Sequence, residues 1–132
     1  MNYTLYFEKL NQIIVNLYNE DIPIYNRVIN YFNMLMEVLY FDKATIFFFY
    51  KENNEYKKHS SISLNWSDEC INAYNSYYFS VDDTIPVLSQ SSPVTFRSNT
   101  FFNIEKRMEC PYYKDYLLPN NCPYSIEGNI LI

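Results

Sequence analysis

Apolar residues recur at helical spacing from the start of the chain. Tyr6, Leu10, Ile13, Ile14 and Leu17 share one face of a helix that the pattern places over residues 5–18. Asn19-Glu20-Asp21 interrupts it, and Asp21 reads as the N-cap of a second helix with Pro23 in its first turn. That helix carries the stripe Ile24, Val28, Phe32, Leu35, Met36 and Leu39, and runs to about residue 40. The period then changes. Thr45-Ile46-Phe47-Phe48-Phe49-Tyr50 is a β-branched and aromatic run, and residues 56–64 end in alternation, with Ile62 and Leu64 opposite Ser61 and Ser63. With the polar turn 52–55 between them, the two runs predict an antiparallel hairpin.

Ser67 caps a third helix, with Asp68 and Glu69 in the first turn where they suit the helix dipole. Ile71, Tyr74 and Tyr78 lie on it, and it ends near Ser80. Asp82-Asp83-Thr84 opens a short helical piece through Leu88, with Pro86 near its start. A loop over 89–93 leads to a short strand at 94–96. Short helices follow at 103–108 and 112–118, separated by Pro111 and stopped by Pro119. A turn at 120–123 leads into a last strand, 124–132, which holds the one glycine, Gly128. The order is that of an α+β sandwich, an antiparallel sheet flanked by helices in one domain spanning 1–132. Its last residues, Asn129-Ile130-Leu131-Ile132, are an apolar strand with nothing after it. An open edge of this kind implies cover by another subunit or continuation in a longer chain.

Composition narrows the function classes. The chain has 132 residues, of which 48% are hydrophobic and 20% aromatic, so it carries enough apolar surface to fold. Its net charge is −5, and its ten basic residues are scattered. Nucleic-acid contact by this segment and a polybasic membrane patch are both excluded, because each needs clustered cations. The longest apolar run, 44–50, falls far short of the roughly 20 residues of a membrane span. The first residues lack the basic start and apolar run of a secretory leader, so a cytoplasmic protein is expected. Cys70, Cys110 and Cys122 form no CxxC pair, and His59 is remote from them in sequence. Neither a disulfide framework nor a metal site follows, and no cofactor is expected. Catalysis finds no constellation: His59 sits on a strand between Lys58 and Ser60, facing solvent. Cys110, beside Pro111 in a loop, is the thiol to test for redox chemistry.

One stretch, 63–130, resembles a known family. It carries Asn65-Trp66, then Tyr74, Tyr78 and Asp82 at four-residue spacing, then Pro93-Val94-Thr95-Phe96-Arg97-Ser98, then Tyr112-Tyr113-Lys114-Asp115-Tyr116 and Pro119. In order and spacing this is similar to the N-terminal sensor domain of LuxR-type bacterial transcription regulators, which is GAF/PAS-like. The resemblance implies a signal-sensing regulatory domain that binds a small molecule between sheet and helices, as a homodimer and without enzymatic activity. The alternative is a ligand-free dimerisation or protein-interaction module of the same fold. Two departures matter: Asp82-Asp83 stands where the family often has Asp-Pro, and Trp66 is the one tryptophan, so an acyl-homoserine-lactone ligand is not implied. The further strands, closing helix and helix-turn-helix of the family lie beyond this segment, so DNA binding would belong to a longer parent.

The ligand-binding candidates are Trp66, Tyr74, Tyr78, Asp82, Phe96, Tyr112 and Tyr116. Tyr74, Tyr78 and Asp82 fall on one helix face, and Tyr112 and Tyr116 on another, with Tyr113 pointing elsewhere. Asp82 is read either as a ligand acceptor or as a cap for the next helical piece. The aromatics are read either as pocket walls or as core. Arg97 can meet an anionic ligand or pair with Asp115.

Overall fold

The computed structural model describes residues 3–53 and 55–129, without the side chains of Tyr3 and Tyr6. It is mixed helix and strand with small antiparallel sheets, so the class is α+β. The chain divides into two compact units, 1–66 and 67–132, and each is described by itself.

In the first unit, α1 (Tyr3–Leu17) and α2 (Ile24–Met36) precede the hairpin of β1 (Ala44–Glu52) and β2 (Glu55–Leu64). Asp21 does not cap α2. Its N–H is turned onto the Asn19 side chain at 3.1 Å, and Pro23 occupies the cap position. The helix also stops short of residue 40. The Leu35 carbonyl accepts from both Val38 and Leu39, a tightening that unwinds the last turn and leaves Leu39 and Tyr40 exposed. Ala44 pairs with Leu64 and Glu52 with Glu55, and a bulge between Phe48 and Phe49 shifts the register. The turn uses Asn53 at φ 51°, a left-handed position that asparagine tolerates. Val28 and Phe32 from α2 meet Ile62 from β2, with Leu17, Ile29, Tyr31, Ala44, Ile46 and Leu64 packed around them. Burying such a side chain is worth about 1.5–3 kcal/mol.

The second unit has a tyrosine-rich core. Its elements are α3 (Asp68–Ser76), a 3₁₀ turn (Tyr78–Val81), α4 (Ile85–Leu88), β3 (Thr95–Arg97), α5 (Ser98–Phe101), α6 (Ile104–Arg107), a π-helical turn (Tyr112–Leu117) and β4 (Ile126–Gly128). The third helix ends at Ser76, four residues earlier than its pattern predicts, and the chain re-coils in the tighter 3₁₀ turn. Antiparallel pairing of β3 and β4 sets Phe96 opposite Glu127. Asn129 extends this ladder: its side chain accepts the Val94 N–H at 2.7 Å and donates to the Leu88 carbonyl at 2.8 Å. Gly128 leaves no room for a side chain against β3, since a Cβ there would stand 2.9 Å from the Thr95 hydroxyl and 3.0 Å from the Val94 carbonyl. Residues 130–132, the end of the expected apolar strand, lie outside the described residues. Among the described residues no helix is long and apolar enough to cross a membrane.

Candidate functional site

The second unit gathers most of the candidate residues around α3. Ser67 caps that helix as expected, accepting the Cys70 N–H at 3.2 Å, with Asp68 and Glu69 in the first turn. Tyr74 is buried on its inner face and donates its hydroxyl to Asp82 Oδ2 at 2.8 Å. The other Asp82 oxygen accepts from the Thr84 N–H at 2.8 Å and from the Thr84 hydroxyl at 2.6 Å. Asp82 therefore holds the turn that leads into α4, at 5% exposure, and both its oxygens are engaged by its own neighbours.

Glu127 reaches the same place from β4. Strand alternation points Ile126 outward and Glu127 inward, where Ser125 donates to it at 2.6 Å. Burial raises the pKa of both carboxyls. For Asp82 the hydrogen bonds from Thr84 and Tyr74 oppose the rise, and for Glu127 those from Ser125 and Thr84 do. The surrounding phenols stay neutral: burial raises the pKa of Tyr74, Tyr112 and Tyr116, reinforced by the nearby acids.

The tyrosine rings form one cluster built on a stacked pair. Tyr112 lies over Tyr116 with centroids 5.6 Å apart and planes 21° apart. Tyr74 meets both, and Tyr78 meets Tyr116 at 4.8 Å. Tyr112 and Tyr116 share a face as their spacing predicts, although the backbone winds as a π-turn, with the Leu118 N–H bonded to the Tyr113 carbonyl five residues back. Tyr113 points away and packs instead on Arg107.

An open cleft of about 310 Å³ lies beside this stack, lined by Glu69, Cys70, Ala73, Tyr78, Asp115, Tyr116 and Asn120. Of the candidate residues, Tyr78 and Tyr116 line it. Tyr74, Asp82 and Tyr112 stand behind them, in the core. Phe96 is elsewhere in the unit, packed on Phe101 at 4.6 Å. Trp66 belongs to the first unit, where the Lys43 ammonium sits 5.1 Å over its ring. Arg97 is exposed on β3 and makes no ion pair with Asp115; alternation turns it away from the buried face that carries Phe96. His59 is exposed as expected, with Nδ1 3.1 Å from the Ser60 hydroxyl.

The residues that sequence reasoning passed over are Thr84, Glu127 and Arg107. Thr84 had a signal, since a hydroxyl two residues after an aspartate is an Asx-turn partner. Glu127 had none, because apolar-in alternation puts Ile126 inside. Arg107 is 3% exposed, and its side chain is gripped by Asp83.

No protein-family model, curated protein or solved structure matches the chain.

Proposed function

We propose that the chain is a signal-sensing regulatory domain of the GAF/PAS-like kind found in LuxR-type transcription regulators, and that it binds a small molecule in the cleft beside α3. The observation that carries this reading is the cleft itself. It sets two tyrosine faces, two carboxylate residues, a thiol and an amide around a space large enough for a small ligand. The order of the motifs from Asn65 to Pro119 supplies the class of protein. Tyr74 and Tyr112 pack behind its Tyr116 wall, and binding would be read out as movement of α3 against the π-turn.

Native mass spectrometry of the purified protein tests it. Retained small-molecule mass is expected on the parent and its loss on Tyr78→Ala, with circular dichroism unchanged. A parent that carries no adduct, and whose melting temperature stays within error across a panel of small amines, carboxylates and acyl lactones, would count against it.

A second reading, a ligand-free interaction module, is favoured by α1. That helix buries Ile13, yet its Phe7, Ile14 and Val15 are exposed at 62, 53 and 70%, and Tyr18 just after it at 76%. A helix apolar on both sides suits a partner, and a second copy of α1 is the simplest one. Sedimentation of Val15→Asp against the parent separates the readings: only the interaction module predicts a parent dimer that the substitution dissolves while no small molecule is bound.

A further inference from the structure

Cys70 and Cys122 converge on one residue. Cys70 stands in the first turn of α3 and donates its thiol to the Asn120 side-chain oxygen at 3.0 Å. Cys122 follows the π-turn and donates to the Asn120 main-chain oxygen at 3.5 Å. The two sulfurs thus sit on the two oxygens of a single asparagine. Both also lie close enough to the Tyr116 hydroxyl to add, after burial, to the rise in its pKa. Both cysteines are reduced and partly exposed, and Cys70 lines the open cleft. The Asn120 amide is tethered by its nitrogen to the Tyr116 carbonyl at 2.8 Å, which fixes the asparagine that both thiols meet. Cys110 is placed differently, with its thiol directed at the Val81 carbonyl at 3.4 Å.

We infer that Cys70 and Cys122 are a paired-thiol modification site, oxidised by a peroxide to an intramolecular disulfide that ties α3 to the segment after the π-turn at the edge of the cleft. Cys70, open to the cleft, reacts first. Its thiolate attacks the O–O bond, forming an S–O bond and releasing hydroxide, so that the sulfur becomes a sulfenic acid. The Cys122 sulfur then attacks the Cys70 sulfur. The S–S bond forms, the S–O bond breaks, and water leaves with the thiol proton. Two electrons pass from the two thiols to the peroxide, which ends as water. A thiol reductant reverses the change. Closure requires the Asn120 side chain to swing aside and the two Cβ atoms to come within about 4.5 Å. The site does not depend on the cleft holding a small molecule.

Peptide mapping of the full chain tests it directly, because trypsin places the cysteines in separate peptides, 59–97, 108–114 and 115–132. The reduced protein is treated with one to five equivalents of hydrogen peroxide, alkylated and digested without reductant. The expected product is a monomer lighter by two hydrogens in which 59–97 is linked to 115–132, and dithiothreitol should restore both thiols. Cys110→Ser should link as the parent does. Cys122→Ser should give no link and a sulfenic acid on Cys70 that dimedone traps, while Cys70→Ser should leave Cys122 unlinked. A link through Cys110, links only between chains, or separate over-oxidation of Cys70 and Cys122 with no crosslink would overturn the proposal.

Discussion

Arg107 closes a two-point ion pair on Asp83, Nε to Oδ2 at 2.8 Å and Nη2 to Oδ1 at 3.1 Å. The guanidinium is also stacked between Phe102 and Tyr113, 4.7 and 4.8 Å from the ring centroids. Burial alone would lower the arginine pKa, and the Asp83 hydrogen bonds and charge more than offset it. The arginine side chain is 2% exposed and the aspartate 22%, so the pair is anchored on the buried cation. Removing the carboxylate strands that charge. Asp83→Ala should cost about 3–5 kcal/mol, and Arg107→Met, which keeps shape and discards the charge, should cost less. Arg107→Lys should behave as a substantial loss, because an ammonium provides neither the fork nor the flat face. Urea unfolding of the three variants and the parent measures the order. Arg107→Met falling below Asp83→Ala in stability would refute the anchoring.

The Tyr74 hydroxyl is one of the groups that make a buried Asp82 tolerable. Tyr74→Phe keeps the ring stack and deletes the donor at 2.8 Å. Loss of a hydrogen bond to a charged or strongly polarised acceptor should cost about 1.5–3 kcal/mol. Tyr78→Phe is the control. Its hydroxyl makes a long bond, 3.4 Å, to the Asp115 carbonyl at an exposed position, and its removal should cost about 0.5 kcal/mol or less. Paired denaturation curves decide the matter, with equal losses in the two variants as the refuting outcome.

Much of the secondary structure could be read from the chain, and the errors have physical causes. The hairpin was legible because residues 45–50 and 56–64 are β-branched and aromatic runs on either side of a polar turn. The start of α3 was legible because Ser67 offers its hydroxyl to an N–H three residues on. Helix ends were less so: the early stop of α2 comes from a tightened turn at Leu35, which apolar spacing does not register. The tyrosine stack was half legible. Spacing gives the shared face of Tyr112 and Tyr116, and nothing local says that Tyr78 meets Tyr116 or that Phe96 packs on Phe101. Arg107 was invisible because on the short helix at 103–108 it reads as one of the scattered basic residues, while its partner Asp83 lies 24 residues away. Glu127 was hidden by the apolar neighbours that β4 turns outward.

Stability of the acid cluster should fall as pH rises. The folded pKa of Asp82 and of Glu127 lies above the unfolded value of about 4. Between those values the folded state binds more protons than the unfolded chain. The two groups therefore favour folding fully below pH of about 4 and lose that contribution as pH climbs through their folded pKa values, by up to about 1.4 kcal/mol per pH unit for each group. Exposed carboxylates add their own pH dependence, so the informative quantity is the difference between parent and variant. Glu127→Gln keeps an acceptor for Ser125 and cannot ionise. It should gain stability relative to the parent as pH rises above the unfolded pKa of about 4, and lose that advantage below it. Chemical denaturation at half-unit pH steps checks this, and a parent–variant difference that stays flat over the range would remove the raised pKa.

Gly128 lets β4 lie against β3. A methyl group there would press on the Thr95 hydroxyl at 2.9 Å and the Val94 carbonyl at 3.0 Å. Side-chain rotation can relieve the first contact, and only backbone movement relieves the second. Gly128→Ala should therefore cost about 1–3 kcal/mol as an overpacking change. It should also loosen the neighbouring Asn129–Val94 bonds at 2.7 and 3.0 Å, visible as faster amide exchange at Val94 and Asn129. Adding Thr95→Ala removes the hydroxyl but leaves the carbonyl, so the double variant should recover part of the loss. The backbone contact is the limiting one, and full recovery by Thr95→Ala would show that it is not.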